Sequence, residues 1–201
     1  MVKREEAVVA VADHPDLQLA LQGVDHLALV TDDMRKTIGF YTGVLSMRLV
    51  HVRRIPYAPD RGQPPYENCR HYFFDMGNQS LLAFFEYPPD APRGNRDALG
   101  GMQHLAFHTN RENFERAQAR LHAHGVKFVG PFHLGDRFYS IYFSDPNGIR
   151  LEITTDLTKP EYDVITSVYQ TEAEARRELL DLYGPGEEAE RVLRGMLLRD
   201  R

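Results

Sequence analysis

The chain has 201 residues, of which 42% are hydrophobic and 26% are charged, and these values are typical of a globular protein rather than a disordered one. Its net charge of -5, with lysines and arginines scattered along the chain, argues against nucleic-acid binding, which needs a basic face. The single cysteine, Cys69, excludes an internal disulfide and a cluster of thiolate ligands, and it indicates a reducing compartment.

Residues 1–21 form a predicted extension ahead of the first regular element. Their apolar run, Ala7 to Ala12, is too short for the core of a secretory signal, and the polar sequence DHPD follows it. No stretch of the chain reaches the length of a membrane span. We therefore expect a cytoplasmic protein that makes no contact with a membrane.

The first predicted module begins with the strand GVDHLALVTDD. Alternation with period two places His26, Ala28 and Val30 on one face of this strand and the intervening leucines on the other. Asp32 or Asp33 is expected to cap a helix, whose apolar residues at helical spacing are Met34, Ile38, Tyr41 and Leu45. Three predicted strands follow, in MRLVHVRR, CRHYFFDM and QSLLAFFEY, and the turn DMGN suits a tight hairpin.

The second predicted module repeats this pattern, because its opening strand GMQHLAFHTNR has glycine, histidine, leucine and alanine in the same order. His104 occupies the place of His26. Asn110 is expected to cap the following helix and Gly125 to end it. The strands KFVGPF, FYSIYFS and IRLEITT complete the module, with a tight turn at DPNG. The repeat therefore predicts an α+β fold of two tandem βαβββ modules, residues 22–90 and 91–156.

The predicted C-terminal extension, residues 157–201, contains two helices separated by Gly184-Pro185-Gly186. Each helix carries an apolar stripe, and the residues concerned are Leu179, Leu182, Val192 and Met196. Such stripes require a partner surface, either the main domain or another subunit. We therefore expect a homodimer.

Three side chains of metal-ligand type share the predicted inward face of the strands. Glu152 lies in an otherwise apolar strand, where a carboxylate is costly unless it is paired, hydrogen-bonded or bound to a metal. With His26 and His104 it supplies two imidazoles and one carboxylate, the donor set of non-haem Fe(II) oxygenases. Mn(II), Ni(II) and Zn(II) use similar donors. The sequence therefore predicts a metal site, with Fe(II) as the first expectation.

Two further residues are candidates for contact with a substrate. If the DPNG turn contains one bulged residue, Tyr142 lies nearly opposite Glu152 and holds a phenol beside the metal. The alternative is an aromatic residue that only fills the interior. His133 falls on a predicted loop near the rim of the site, where a solvated surface histidine is the alternative.

The arrangement resembles the vicinal oxygen chelate superfamily, whose members include glyoxalase I, fosfomycin-resistance proteins and type I extradiol dioxygenases. The resemblance covers residues 22–156 and is most specific in DHLALVTDDMRKTIGFYTGVL and YFSDPNGIRLEI. It implies that the paired modules curl into a cup-shaped mixed sheet with a metal inside. It also implies a homodimer and a small-molecule substrate.

The resemblance is greatest with the extradiol branch. By position, the three predicted ligands match the three metal ligands of that branch. Tyr142 matches its active-site tyrosine, and His133 matches a second-sphere histidine that borders the substrate. The implied reaction is cleavage of a catechol-like aromatic diol by O2 at Fe(II).

The chain departs from the patterns of the superfamily in two ways. Ala83 stands where glyoxalase-type members have a fourth ligand, which favours the three-ligand pattern. Gln79 and Ser80 stand where extradiol enzymes carry an acid/base histidine, and neither titrates near neutral pH. His71, in the preceding strand, is the alternative proton carrier. A metal-dependent isomerase, epimerase or lyase acting through a metal-bound enolate, and a metal-free binding protein, are therefore the alternative functions.

Overall fold

The structure is a computed structural model that describes residues 21–56, 64–134, 138–156 and 168–199. The predicted N-terminal extension, apart from Leu21, lies outside the described residues. No helix in the described ranges has the length and apolar character needed to cross a membrane.

The first module forms one four-stranded sheet. Its elements are β1 (His26–Thr31), α1 (Met34–Ile38), a π-helical segment (Gly39–Val44), β2 (Leu49–Arg54), β3 (Arg70–Gly77) and β4 (Ser80–Glu86). The strand order is β1-β4-β3-β2, in which β1 runs parallel to β4 and the other neighbours are antiparallel. Each predicted strand of this module is present.

The second module repeats the topology in a separate sheet. Its elements are β5 (Leu105–His108), α2 (Arg111–Ala123), β6 (Phe128–Leu134), β7 (Phe138–Ser144) and β8 (Arg150–Asp156). The strand order is β5-β8-β7-β6, again with only the first pair parallel. The predicted α+β class and the tandem βαβββ repeat are therefore confirmed, with two open mixed sheets.

The helix boundaries follow from local hydrogen bonds. The Asp33 side chain accepts a hydrogen bond of 3.0 Å from the backbone N–H of Lys36, which starts α1. Asn110 caps α2 in the same way, and Gly125, at φ +67°, follows the end of α2. The first helix then widens into the π-helical segment, where the Thr42 hydroxyl donates to the carbonyl of Ile38.

The two modules share one hydrophobic core. Its most buried members come from the first helical region, from α2 and from both sheets, and they include Tyr41, Phe74, Phe84, Leu121, Ile141 and Leu151. Leu27 and Leu29 of β1, and Leu105 and Phe107 of β5, also pack against this core. The opposite faces of β1 and β5, which carry the predicted ligand positions, therefore point away from it.

A buried polar network joins the modules at the β7–β8 turn. Asp145 accepts hydrogen bonds of 2.8 Å from the backbone N–H groups of Asn147 and Ile149, which closes the turn. The Tyr41 hydroxyl donates to the same carboxylate at 3.1 Å, and the Thr31 hydroxyl donates to the Asn147 side chain at 2.7 Å. Side chains from the first module therefore satisfy polar groups of the second.

Replacing Tyr41 with phenylalanine is expected to lower the free energy of unfolding by about 1–2 kcal/mol, because the buried Asp145 carboxylate loses a hydrogen-bond donor. Burial already raises the pKa of Asp145, whereas its hydrogen bonds, including that from Tyr41, lower it. Urea unfolding measures the change. Tyr183→Phe is the control, because Tyr183 is 45% exposed. A loss for Tyr41→Phe no larger than that for Tyr183→Phe would contradict the bridging role.

The C-terminal extension contains α3 (Glu172–Tyr183) and α4 (Glu187–Gly195). These helices pack against each other through a small core of their own, formed by Ala175, Leu193, Leu198, Leu179 and Met196. Leu179 and Met196 of the two predicted stripes are therefore covered by this core, and the expectation of a further partner surface stays a prediction. Leu182 stays 69% exposed.

Candidate metal centre

The strand register brings Tyr142 and Glu152 together. In the β7–β8 hairpin Tyr142 lies directly opposite Glu152, as the sequence predicts. On the other side of β8, Glu152 is paired with Ala106 of β5, and His104 immediately precedes β5. Tyr142, Glu152 and His104 therefore share one face of the second sheet.

A short polar contact on this face joins His104 and Glu152. Nε2 of His104 lies 3.0 Å from Oε2 of Glu152, whose side chain is only 7% exposed. The other ring nitrogen, Nδ1, contacts the side-chain oxygen of Gln103, and an oxygen acceptor requires the proton on Nδ1. A neutral His104 therefore points a lone pair at a carboxylate oxygen. Two electron-rich atoms so close together require a proton or a metal cation to neutralise their repulsion.

The separation of these two atoms suits metal coordination. Metal bonds to imidazole nitrogen and carboxylate oxygen are about 2.1 Å long. Two such bonds at a right angle place their donor atoms about 3.0 Å apart, by the geometry of those bond lengths. His104 and Glu152 therefore fit two adjacent ligand positions of one divalent ion.

Tyr142 stays a neutral hydrogen-bond donor in this environment. Burial raises the pKa of its phenol, and the negative charge of Glu152 raises it further. The Arg150 guanidinium lies 4.4 Å from the centre of the Tyr142 ring, and the His104 ring meets Tyr142 edge-on at 6.0 Å. The phenol is thus held in a fixed position beside the carboxylate and the imidazole.

His26 lies in the other sheet, apart from this pair. Its Nδ1 is 2.5 Å from a carboxylate oxygen of Asp25, and its side chain is 42% exposed. No group of three or more histidines, cysteines, aspartates or glutamates in the described ranges is arranged to hold a metal ion. One chain therefore brings together His104, Glu152 and Tyr142 but not His26.

His133 does not join the site. It lies within strand β6, which corrects the prediction of a loop at this position. A bulge between Val129 and Phe132 shifts the register, so that His133 pairs with Tyr139, and their ring centres are 3.9 Å apart. Since Tyr139 packs against the core, His133 is on the face opposite Tyr142. The second-sphere role that the resemblance implies for His133 has no geometric support within one chain.

Two residues that the sequence analysis did not single out orient the histidines. Asp25 and Gln103 each precede a predicted ligand, and each engages Nδ1 of that ligand. This contact leaves Nε2 as the ligand atom, as in most histidine metal sites. The sequence signal for both residues is their equivalent position in the repeat, directly before each histidine.

The positions expected for other ligands or proton carriers are also visible. Ala83 is paired with Ala28 and Phe73, on the face of His26, and is fully buried. Gln79 is in the β3–β4 turn at φ +60°, and the Ser80 hydroxyl donates to the carbonyl of Val24. Neither residue therefore replaces the missing acid/base histidine.

His71 is the remaining alternative as proton carrier. Burial lowers its pKa to about 4, and the positive charge of Arg53 contributes in the same direction. His71 is therefore neutral near pH 7. It cannot serve there as the general acid.

A sequence model of the Glyoxalase/Bleomycin resistance protein/Dioxygenase superfamily matches residues 23–153. The metallothiol transferase FosB of Bacillus licheniformis is 31% identical over 136 residues, which cover 66% of this chain and 75% of FosB.

Two crystal structures share the fold. A glyoxalase/dioxygenase from Nostoc punctiforme has a TM-score of 0.53 and 23% identity, covering 68% of this chain and 92% of its own. A mutant FosX from Listeria monocytogenes, complexed with Mn(II) and 1S,2S-dihydroxypropylphosphonic acid, has a TM-score of 0.50 and 19% identity, covering 68% and 93%. The match of the family model from β1 into β8, together with the duplicated modules, shows that the chain belongs to the Glyoxalase/Bleomycin resistance protein/Dioxygenase superfamily.

Proposed function

We propose that this protein is a divalent-metal-dependent enzyme whose metal site is assembled from two copies of the chain. The proposed ligands are His104 and Glu152 of one copy and His26 of the second copy. The observation that carries the proposal is the 3.0 Å contact between His104 and the buried carboxylate of Glu152. The pair supplies two of the three donors of a facial triad, and His26 supplies the same kind of nitrogen as His104.

The exposed faces of the two sheets support the participation of a second copy. Val30, on the face of His26, is 42% exposed, and Val129 and Phe132, on the face of Tyr142, are 56% and 48% exposed. Apolar side chains in such numbers around polar ligands mark surfaces that associate. A two-fold axis that lays the first sheet of one copy over the second sheet of the other repeats the contact, so the dimer contains two equivalent sites.

The supported chemistry is the transfer of a nucleophile to a small substrate that presents two oxygen atoms. When bound, the metal supplies Lewis-acid polarisation of those oxygens. Tyr142 donates a hydrogen bond to a substrate oxygen, and Arg150 adds positive charge beside it. The likeness to a metallothiol transferase supports this class of reaction, and the FosX complex supports Mn(II) among the expected metals.

Ring cleavage of a catechol-like substrate by O2 at Fe(II) is the second candidate. The position of Tyr142 directly opposite Glu152 favours it, since the extradiol branch has a tyrosine there. Iron-loaded protein assayed anaerobically and then with O2 on a panel of catechols tests this candidate. Absence of the yellow ring-opened product from iron-loaded protein would leave the transfer reaction as the proposed function.

Metal binding tests the proposal directly. Elemental analysis and calorimetric titration with Mn(II) are expected to show one metal per chain in the wild type. Glu152→Gln keeps the shape but removes the charge, so we expect at least about a 100-fold loss of affinity. His122→Ala, which removes an exposed imidazole from α2, is the control and should bind as the wild type does. Unchanged affinity in Glu152→Gln would contradict the proposed ligand set, and a wild type that binds no metal would favour a metal-free binding protein.

A further inference from the structure

A second cluster of polar side chains surrounds Phe73 on the first sheet. The ring centre of Phe73 lies 4.3 Å from that of His71, 5.6 Å from that of His51 and 5.7 Å from that of His26. The Arg53 guanidinium lies 6.0 Å from the same ring centre. We call these five residues the Phe73 cluster.

The strand register places the Phe73 cluster on one face. Arg53 of β2 is paired with His71 of β3, and His51 of β2 is paired with Phe73. His71 is also paired with Phe85 of β4, against which its ring stacks at 3.8 Å and 10°. Arg53 and His51 are exposed on this face, whereas His71 lies beneath them and is 5% exposed.

Arg53 carries a charge that the described residues do not neutralise. Its guanidinium contacts Nδ1 of His71 at 3.4 Å, and no carboxylate in the described ranges forms an ion pair with it. Three other arginines, by contrast, pair with carboxylates: Arg48 with Asp75, Arg70 with Glu86 and Arg93 with Asp32. Arg53 is therefore available to an external anion.

His71 supplies a hydrogen-bond donor beside this charge. Because Nδ1 faces the guanidinium of Arg53, which only donates, Nδ1 is the acceptor and Nε2 carries the proton. Nε2 is buried and has no partner among the described residues. A buried N–H without an acceptor is rare in folded proteins and points to a group that the chain itself does not provide.

We propose that Arg53 and His71 form an oxyanion subsite that binds the carboxylate, phosphonate or phosphate group of a small organic acid, with Phe73 packing against its carbon skeleton. Arginine suits this role because its planar fork matches such anions, and the exposed Arg53 guanidinium is free to turn toward a group bound at Nε2. His26 belongs to the same cluster, so the subsite adjoins one proposed metal ligand. The inference rests on the proposed function in that it names the class of substrate.

Binding to metal-free protein tests the subsite separately from the metal centre. The probes are propylphosphonate, butyrate and the neutral butan-1-ol. Their binding is measured by calorimetry and by the imidazole nitrogen signals of His71 in nuclear magnetic resonance. Arg53→Gln removes the positive charge of the proposed subsite. Arg54→Gln is the matched control, because Arg54 is the next residue of β2 and bonds to the carbonyl of Asn68 at 2.8 Å.

We expect at least one of the two anions to bind saturably and shift the Nε2 signal, while butan-1-ol does neither. Arg53→Gln should weaken that binding at least about tenfold, as for the loss of a charged hydrogen bond, and Arg54→Gln should leave it unchanged. No saturable binding of either anion, equal binding of butan-1-ol, or equal effects of the two substitutions would overturn the subsite. If the wild-type protein binds the anion but binds no metal, only the proposed function is contradicted and the subsite stands.

Discussion

Mixed dimers of a His26→Ala chain and a Glu152→Gln chain are expected to bind metal, although neither variant binds it alone. If each site takes His26 from one chain and Glu152 from the other, the mixed dimer contains one intact site and one site with both lesions. Chains with two different affinity tags allow the mixed dimer to be isolated. Elemental analysis should then find about one metal per mixed dimer and about two per wild-type dimer, from the two-fold symmetry.

The pairing of His104→Ala with Glu152→Gln is the control for this experiment. Both substitutions affect the same half of the site, so no arrangement of the mixed dimer restores an intact site. A mixed dimer of His26→Ala and Glu152→Gln chains without metal would contradict assembly from two chains. Metal in the control dimer would show that one of the two residues is not a ligand.

Lowering the pH from 7 to 5 is expected to destabilise the wild type by about 2 kcal/mol through His71 alone. Burial, together with the positive charge of Arg53 and the neighbouring imidazoles of His26 and His51, lowers the pKa of His71 from 6.5 to about 4. Between these values the unfolded chain binds a proton at His71 and the folded chain does not. Stability is therefore lost as the pH falls from about 6.5 to about 4 and is fully present above that window.

Urea unfolding of the wild type and of His71→Gln at both pH values measures this effect. Glutamine keeps a polar amide at the site but does not titrate, so the variant should lose less stability on acidification. The comparison between pH values removes any constant cost of the substitution itself. Equal losses in the two proteins would contradict a neutral, buried His71. Nuclear magnetic resonance should also show that its imidazole is still neutral at pH 5.

The features predicted correctly from the sequence depend on local rules. Alternation along β1 and β5 separates the leucines, which pack in the core, from His26 and His104. The DPNG turn aligns Tyr142 with Glu152 because a tight hairpin sets the register of its two strands. Asn110 and Gly125 delimit α2 for the same reason, since caps act over three or four residues.

The features that the sequence did not predict depend on distant residues or on small shifts of register. The placement of the two sheets involves the hydrogen bond from Tyr41 to Asp145. These residues are 104 positions apart in the chain, so no local pattern predicts their contact. One bulge in β6 reverses the face of His133. In the proposed dimer, the face of His26 is completed by a second chain, which a local pattern does not predict. Ring cleavage and the preference for Fe(II) stay predictions, because the family model identifies the superfamily and not a branch within it.

The residues that precede the two histidines make the repeat symmetrical in its backbone but unequal in its charge. Asp25 offers a carboxylate to His26, whereas Gln103 offers only a neutral amide to His104. A carboxylate partner makes an imidazole a stronger donor than an amide does. Each site of a two-fold dimer would then hold one strong and one weaker nitrogen donor. A substrate with two identical oxygen atoms would bind there with inequivalent ends, so the site itself selects which end reacts.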